Sequence, residues 1–172
     1  MSTVMPSPVA KKKQVVIARL RALLRPVGFR SRGATFVRQL ADVTHLLALQ
    51  SSSKTASDQV VLTVNLGVIA PEALQSWDSP TSVWSAQWRA RLGELGPAAV
   101  DTWWSIADSG SGEAAAAEIA ALTRDYGLPA LDRFSTMAAL LEALDGQTSH
   151  GLTSKQQVDA AARIRKMRVL KP

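Results

Sequence analysis

Four polar side chains interrupt otherwise apolar or alternating segments of this chain: Arg38, Gln50, Asn65 and Arg91. A guanidinium fork matches the geometry of a planar anion, and a carboxamide both donates and accepts hydrogen bonds. If the segments that carry them are neighbouring strands, the four meet on one sheet face. Together they would suit a carboxylate, a phosphate or a peptide backbone. The same set would equally serve as a structural network, because buried amides are hydrogen-bonded in folded proteins.

Aromatic residues form a second constellation. All five tryptophans, Trp77, Trp84, Trp88, Trp103 and Trp104, fall within 28 residues. With Arg89 and Arg91 alternating beside them, they would stack a ligand ring or a base. The period-two placement of Trp84 and Trp88 points instead to a core face. Trp77 lies in a loop segment and is the candidate for an exposed contact. Trp77 and Trp104 join the four polar residues as ligand-binding candidates.

Catalytic and metal chemistry find little footing. There is no cysteine, which excludes a disulfide framework, a thiolate metal site and a cysteine nucleophile. His45 lies in an apolar strand and His150 in a Gly/Ser loop, with no Gly-x-Ser-x-Gly elbow anywhere. Asp101 and Asp108 flank the Trp103-Trp104 pair and are the one carboxylate pairing considered. Gly110-Ser111-Gly112 is flanked by Asp108 and Glu113, which would repel a phosphate, and it matches no nucleotide-binding spacing. It reads as a helix start. No catalytic residue, metal ligand or cofactor is therefore assigned.

Charge is distributed unevenly. Residues 1–41 hold nine basic residues and no acid, 42–150 hold five basic and 13 acidic, and 151–172 hold six basic and Asp159. The basic ends would bind nucleic acid or an acidic protein, fold back on the acidic middle, or, at the N-terminus, form a targeting peptide. A secretory signal is not expected, because Arg19 cuts the apolar run Val15–Ala18. Nor does any run approach the ~20 apolar residues of a membrane span. In the last segment Arg163, Arg165, Lys166 and Arg168 are the partner-binding candidates. They surround a thin apolar stripe of Ala160, Ala161, Ile164 and Met167.

The elements that must position these groups follow from periodicity and breakers. Residues 1–8 are expected to be disordered. A helix over 9–25 has Val16, Leu20, Leu23, Leu24 and Val27 on one stripe and stops at Pro26 and Gly28. Strands are predicted at 34–40, 43–50, 59–69 and 83–92. In the last of these, Trp84, Ala86, Trp88, Ala90 and Leu92 point one way. Residues 102–107 are either a short fifth strand or the lead into the next helix. That Ala-rich helix runs to about Tyr126, where Gly127 and Pro129 break it. Another spans Ser135 or Thr136 to Leu144, and Thr153-x-x-Gln156 is a capping box opening a last basic helix to about Leu170. Residues 40–60 leave no room for crossover helices, so the sheet is antiparallel. The fold class is α+β: an N-terminal helix, an antiparallel sheet of four to five strands, then C-terminal helices packed on it. One domain covers 9–150, with 151–172 as a basic C-terminal helix.

Several short motifs occur together in order: Gly28-Phe29-Arg30, Thr35-Phe36-x-Arg38, Leu49-Gln50-Ser51-Ser52, Thr63-Val64-Asn65-Leu66-Gly67-Val68, Arg89-x-Arg91-Leu92-Gly93-x-Leu95 and Asp101-x-Trp103-Trp104. On these the chain resembles the bacterial domain of unknown function family numbered 4304, over about residues 12–145. The resemblance implies a compact α+β domain and a cytoplasmic setting, with no established activity. It also implies that the basic helix at 12–25 is part of the domain rather than a targeting signal.

Three functions are open at this stage. The preferred one is a non-enzymatic binding module for a protein partner, immunity- or adaptor-like. The second is nucleic-acid binding through the basic termini, against which the acidic middle counts. The third is an enzyme or sensor that holds a small anionic ligand at Arg38, Asn65 and Arg91.

Overall fold

Arg25, Pro26 and Val27 tighten the end of the first helix into a single 3-10 turn, and Gly28, at φ +91°, terminates it. In the computed structural model, which describes residues 8–55 and 58–170, that helix is α1, Pro8–Leu24. Val16, Ile17, Leu20 and Leu24 line its buried face. The disorder expected over 1–8 falls outside the described residues except at Pro8, which already belongs to α1.

The sheet follows at once. Strand β1 is Arg30–Arg32, β2 Thr35–Gln39, β3 Thr44–Ser51 and β4 Val60–Ile69. After a long excursion come β5, Trp88–Arg91, and a single helical turn α2, Leu92–Leu95. Strand β6, Trp104–Ile106, returns to the sheet. All pairings are antiparallel in the order β1-β2-β3-β4-β5. β4 is long enough to serve two partners on one edge: β6 takes Val60–Leu62 and β5 takes Asn65–Val68. The alternative of a fifth strand at 102–107 is thus the one realised. The extra strand β1 was hidden from sequence reading by its length and its composition, Arg-Ser-Arg.

Helix α3, Ser109–Leu122, starts where Asp108 accepts the Ser111 N–H at 2.8 Å. Hydrogen bonds from Ser111 hold the Asp108 carboxyl below the usual carboxylate range. The expected break at Gly127 and Pro129 does not occur. One π-helical turn, Thr123–Gly127, carries the chain into α4, Leu128–Asp132. Pro129 sits in the first turn of α4 and has no N–H to return to the turn before it, a bond that the widened π turn leaves out. Gly127 keeps a helical φ of −67°. Its missing side chain lets the helix approach the sheet, since a Cβ there would lie 3.1 Å from Leu92 Cδ1 and 3.3 Å from Leu66 Cδ2.

Helix α5, Met137–Asp145, is capped by Thr136, and α6 spans Ser154–Leu170. Thr153 and Gln156 form the expected reciprocal cap, at 2.8 and 3.3 Å. Val60, Leu62, Val64, Leu66 and Val68 put one sheet face into the main core beneath the helices. Ala160, Ala161 and Ile164 of α6 are buried in that same core, so the C-terminal basic helix shares the core of the domain. Among the described residues no helix is long and apolar enough to cross a membrane.

Candidate functional site

The register determines which side chains meet on the sheet face turned away from the helices. Opposed residues in an antiparallel ladder share a face. One row across the sheet therefore reads Arg32, Thr35, Ala48, Asn65, Arg91. The next reads Arg30, Val37, Leu46, Gly67, Arg89. Both rows end in arginines on β1 and β5, with smaller or apolar residues between.

The segment from 70 to 87 lies over the second row. Leu46, Ile69 and Ala86 form a small buried cluster of their own. Gly67 makes this possible, because a Cβ at that position would stand 2.8 Å from Ala86 Cβ and 3.0 Å from Val83 Cγ2. Gln87, 2% exposed, fastens both ends of the excursion. Its Oε1 accepts from Ala70 N at 2.6 Å, and its Nε2 donates to Ser85 O at 3.0 Å. Val83–Ser85 is a 3-10 turn rather than strand, with the Ser82 side chain accepting from Trp84 N.

That turn overturns the expected inward placement of Trp84. Alternation holds only over Trp88–Arg91, and Trp84 stands 60% exposed. The Arg89 guanidinium lies 5.6 Å from its ring centroid. Three shallow cavities meet at this ring. One, of about 250 Å³, is lined by Asn65, Arg89, Arg91, Glu94 and His150. A second, of about 280 Å³, runs over Thr35, Ala48, Gln50 and Asn65. A third, of about 230 Å³, lies towards Asp78, Gln87, Asp159 and Arg163.

Gln50 and Asn65 come together as anticipated, Asn65 Nδ2 donating to Gln50 Oε1 at 2.9 Å. Arg91 is Asn65's neighbour on β5, but its guanidinium pairs with Asp101 and lies 5.2 Å from the Trp103 ring centroid. Trp103 Nε1 donates to the same carboxylate at 3.2 Å. On β5, Arg89, unlike Arg91, has no ion-pair partner among the described residues. Burial lowers the pKa of its guanidinium from the ordinary value. Its backbone is gripped by the loop before α6: Arg89 N donates to Ser149 Oγ at 2.8 Å and Gly151 N donates to Arg89 O at 3.0 Å. Gln157, buried on α6, holds Ser149 from both sides at 3.1 and 3.2 Å.

The other candidates fall elsewhere. Arg38 opposes His45 on the helix-covered face, so it does not join Gln50, Asn65 and Arg91. The reason is parity: counting through the register puts Arg38 one residue out of phase with Thr35 and Val37. There it donates to Val27 O at 3.3 Å and to His45 Nδ1 at 2.9 Å, and pairs with Asp132. It also lies 4.8 Å from the Phe29 ring centroid. Trp104 is buried in the main core, opposite Leu62, and is not a surface contact. Trp77 is 77% exposed. Arg165 pairs with Asp145, Arg163 is half-buried beside the third cavity, and Lys166 and Arg168 are exposed. Sequence reasoning missed Trp84 as a surface residue, and Gln87 and Gly67 as its supports. The signal was present in Gly67, a glycine inside an otherwise apolar strand, which marks close approach of another backbone.

A family model described as Domain of unknown function (DUF4304) matches residues 20–133, about two thirds of the chain. No curated protein and no solved structure matches it.

Proposed function

The chain belongs to the DUF4304 family, and within that fold we propose that it is a non-enzymatic binding module whose partner is another protein, engaged through the face around Trp84. The observation that carries this reading is Trp84 itself. A large aromatic side chain stands 60% exposed on a turn that Gly67 and Gln87 hold rigidly against the sheet. Tryptophan and arginine are the residue types that dominate binding energy in protein interfaces. Arg89 beside the ring, and Trp77 at 77% exposure on the same excursion, extend the patch. The three cavities that meet there hold about 230–280 Å³ each. Each falls below the ~300–1,000 Å³ of small-molecule sites, which suits projecting side chains of a partner better than an enclosed ligand. An immunity- or adaptor-like role in a bacterial cytoplasm is the setting this reading takes.

The test is capture from extracts of the source cell on wild type and on Trp84→Ala, followed by calorimetry with the captured protein once purified. A stoichiometric partner, weakened by at least about tenfold in Trp84→Ala, is expected, since interface hot spots cost about 2 kcal/mol or more. A partner held equally by both forms, or none at all, overturns the reading.

A further inference from the structure

On the other side of β5 the structure holds a larger cavity, of about 540 Å³, between β5, α2 and α5. Trp88 and Phe134 line it, with ring centroids 4.8 Å apart and planes tilted by 45°. Leu95 adds a third apolar side chain, and Ala139 and Ala143, one turn apart on α5, keep the opposite wall shallow. Its volume lies within the ~300–1,000 Å³ of small-ligand sites. The aromatic lining is held in place from behind, where His45 Nε2 meets Phe134 O at 3.0 Å.

Two charges of opposite sign border this apolar space, Arg133 and Glu142. Both are exposed, and among the described residues neither has an ion-pair partner, including the other. The Trp88 Nε1 proton, in a residue 2% exposed, also has no acceptor. A simple anion would meet Glu142, and a simple cation would meet Arg133. A zwitterion with an apolar body satisfies both charges and covers Phe134, Leu95 and the small part of Trp88 left open. We propose that this cavity binds an apolar α-amino acid, its carboxylate at Arg133, its ammonium at Glu142 and its side chain against Trp88 and Phe134. His150 lines both this cavity and the one of about 250 Å³ beside Trp84, but the groups that carry the two readings, Arg133 and Glu142 here and Trp84 there, are different, so either can fail without the other.

The experiment uses the indole N–H signals of the five tryptophans of the full chain, with that of Trp88 identified by Trp88→Phe. L-phenylalanine and L-leucine should shift the Trp88 signal saturably while the Trp77 signal stays in place. L-phenylalanine amide, which lacks the carboxylate, and N-acetyl-L-phenylalanine, which lacks the ammonium, should each bind about tenfold more weakly, the scale of one charge-assisted hydrogen bond. Arg133→Gln should abolish the advantage of phenylalanine over its amide, and Glu142→Gln its advantage over the N-acetyl form. Both changes are on exposed side chains, so the fold is retained. No saturable shift at about 10 mM amino acid, a range that would reveal even millimolar binding, overturns the proposal. Equal binding of the blocked and free forms overturns it as well.

Discussion

His45 makes the stability of this domain fall in mild acid. The ring is fully buried between Arg38 and Phe134. Arg38 has only protons to give, so Nδ1 must accept at 2.9 Å, and Nε2 must carry the proton that reaches Phe134 O at 3.0 Å. A second ring proton would have to displace the guanidinium. Burial, the largest cause, pushes the His45 pKa below its ordinary value; the Phe134 carbonyl pulls it up, Arg38 lowers it and Asp132 raises it. In the unfolded chain His45 titrates near 6.5. The unfolded state therefore binds more protons below that pH, and stability drops as pH falls through about 6.5, by about 1.4 kcal/mol per pH unit until the folded ring itself titrates. Above about pH 6.5 the contribution is complete. The loss between about pH 8 and about pH 5.5 from this group is at most on the order of 1 kcal/mol. His45→Gln offers a carbonyl to Arg38 and an amide proton to Phe134 without a titrating ring. Urea unfolding of both proteins at the two pH values isolates the term, because His150 is present in each. Equal pH dependence in wild type and His45→Gln would refute the reasoning, as would a folded-state His45 that titrates at or above 6.5.

Other perturbations bear on the supports of the two faces. Gly67→Ala should cost about 1–3 kcal/mol through overpacking against Ala86 and Val83, read by denaturant unfolding, and should alter the fluorescence of Trp84 above it. Ile164→Ala, in a residue 1% exposed on α6, should cost about 2–5 kcal/mol; a change under 0.5 kcal/mol would mean that the helix is not part of the core. Gln157→Leu strips partners from Ser149 and Leu152 and should cost about 2–3 kcal/mol, with faster amide exchange at Gly151 as the local sign. If the basic N-terminal block binds nucleic acid, affinity should fall with salt at a log–log slope of about 0.9 per phosphate contacted, and Arg30→Gln with Arg32→Gln should flatten that slope. No retardation of DNA or RNA at ~50 mM salt would remove that alternative.

Much of the architecture was legible because hydrophobic period and breakers agree along most of the chain. β4 shows this best, with five apolar residues at every second position and all five in the core. What escaped depended on long-range packing. Trp84 and Trp88 are four apart and read as one face, yet only the second is in a strand; the glycine that lets the intervening turn settle on the sheet is Gly67, 17 residues before Trp84. Gly127 and Pro129 read as a helix stop, whereas the helix continues through a π turn in which Gly127 sits close against Leu92 and Leu66. The polar four were seen correctly as interruptions, but the face of each depended on register. Parity within a strand separates odd from even residues. It does not tell which parity of β2 faces the same way as which parity of β4, and so Arg38 went to the helix side while Gln50 and Asn65 met on the other.

Register also explains why the basic ends and the acidic middle need not attract each other to fold. Arg19 with Glu113, Arg38 with Asp132, and Arg165 with Asp145 do join the basic ends to the acidic middle. Two of these pairs are about half exposed on both sides, and pairs of that kind contribute roughly 0–1 kcal/mol. The apolar stripes beneath them, Val16, Leu20 and Leu24 on α1 and Ala160, Ala161 and Ile164 on α6, bury completely or nearly so and decide where the helices lie. Charge is therefore free to be used elsewhere. On β1, the end strand of the sheet, Arg30 and Arg32 are exposed and take no ion pair among the described residues. A three-residue edge strand carrying two arginines is poorly suited to pair with another sheet, which is how natural sheets avoid edge-to-edge association. The far edge is closed differently, by the loop whose Gly151 hydrogen-bonds to Arg89 of β5. β1 and β5 are thus guarded at their outer edges, while the rings of Trp84 and Trp77 stay exposed.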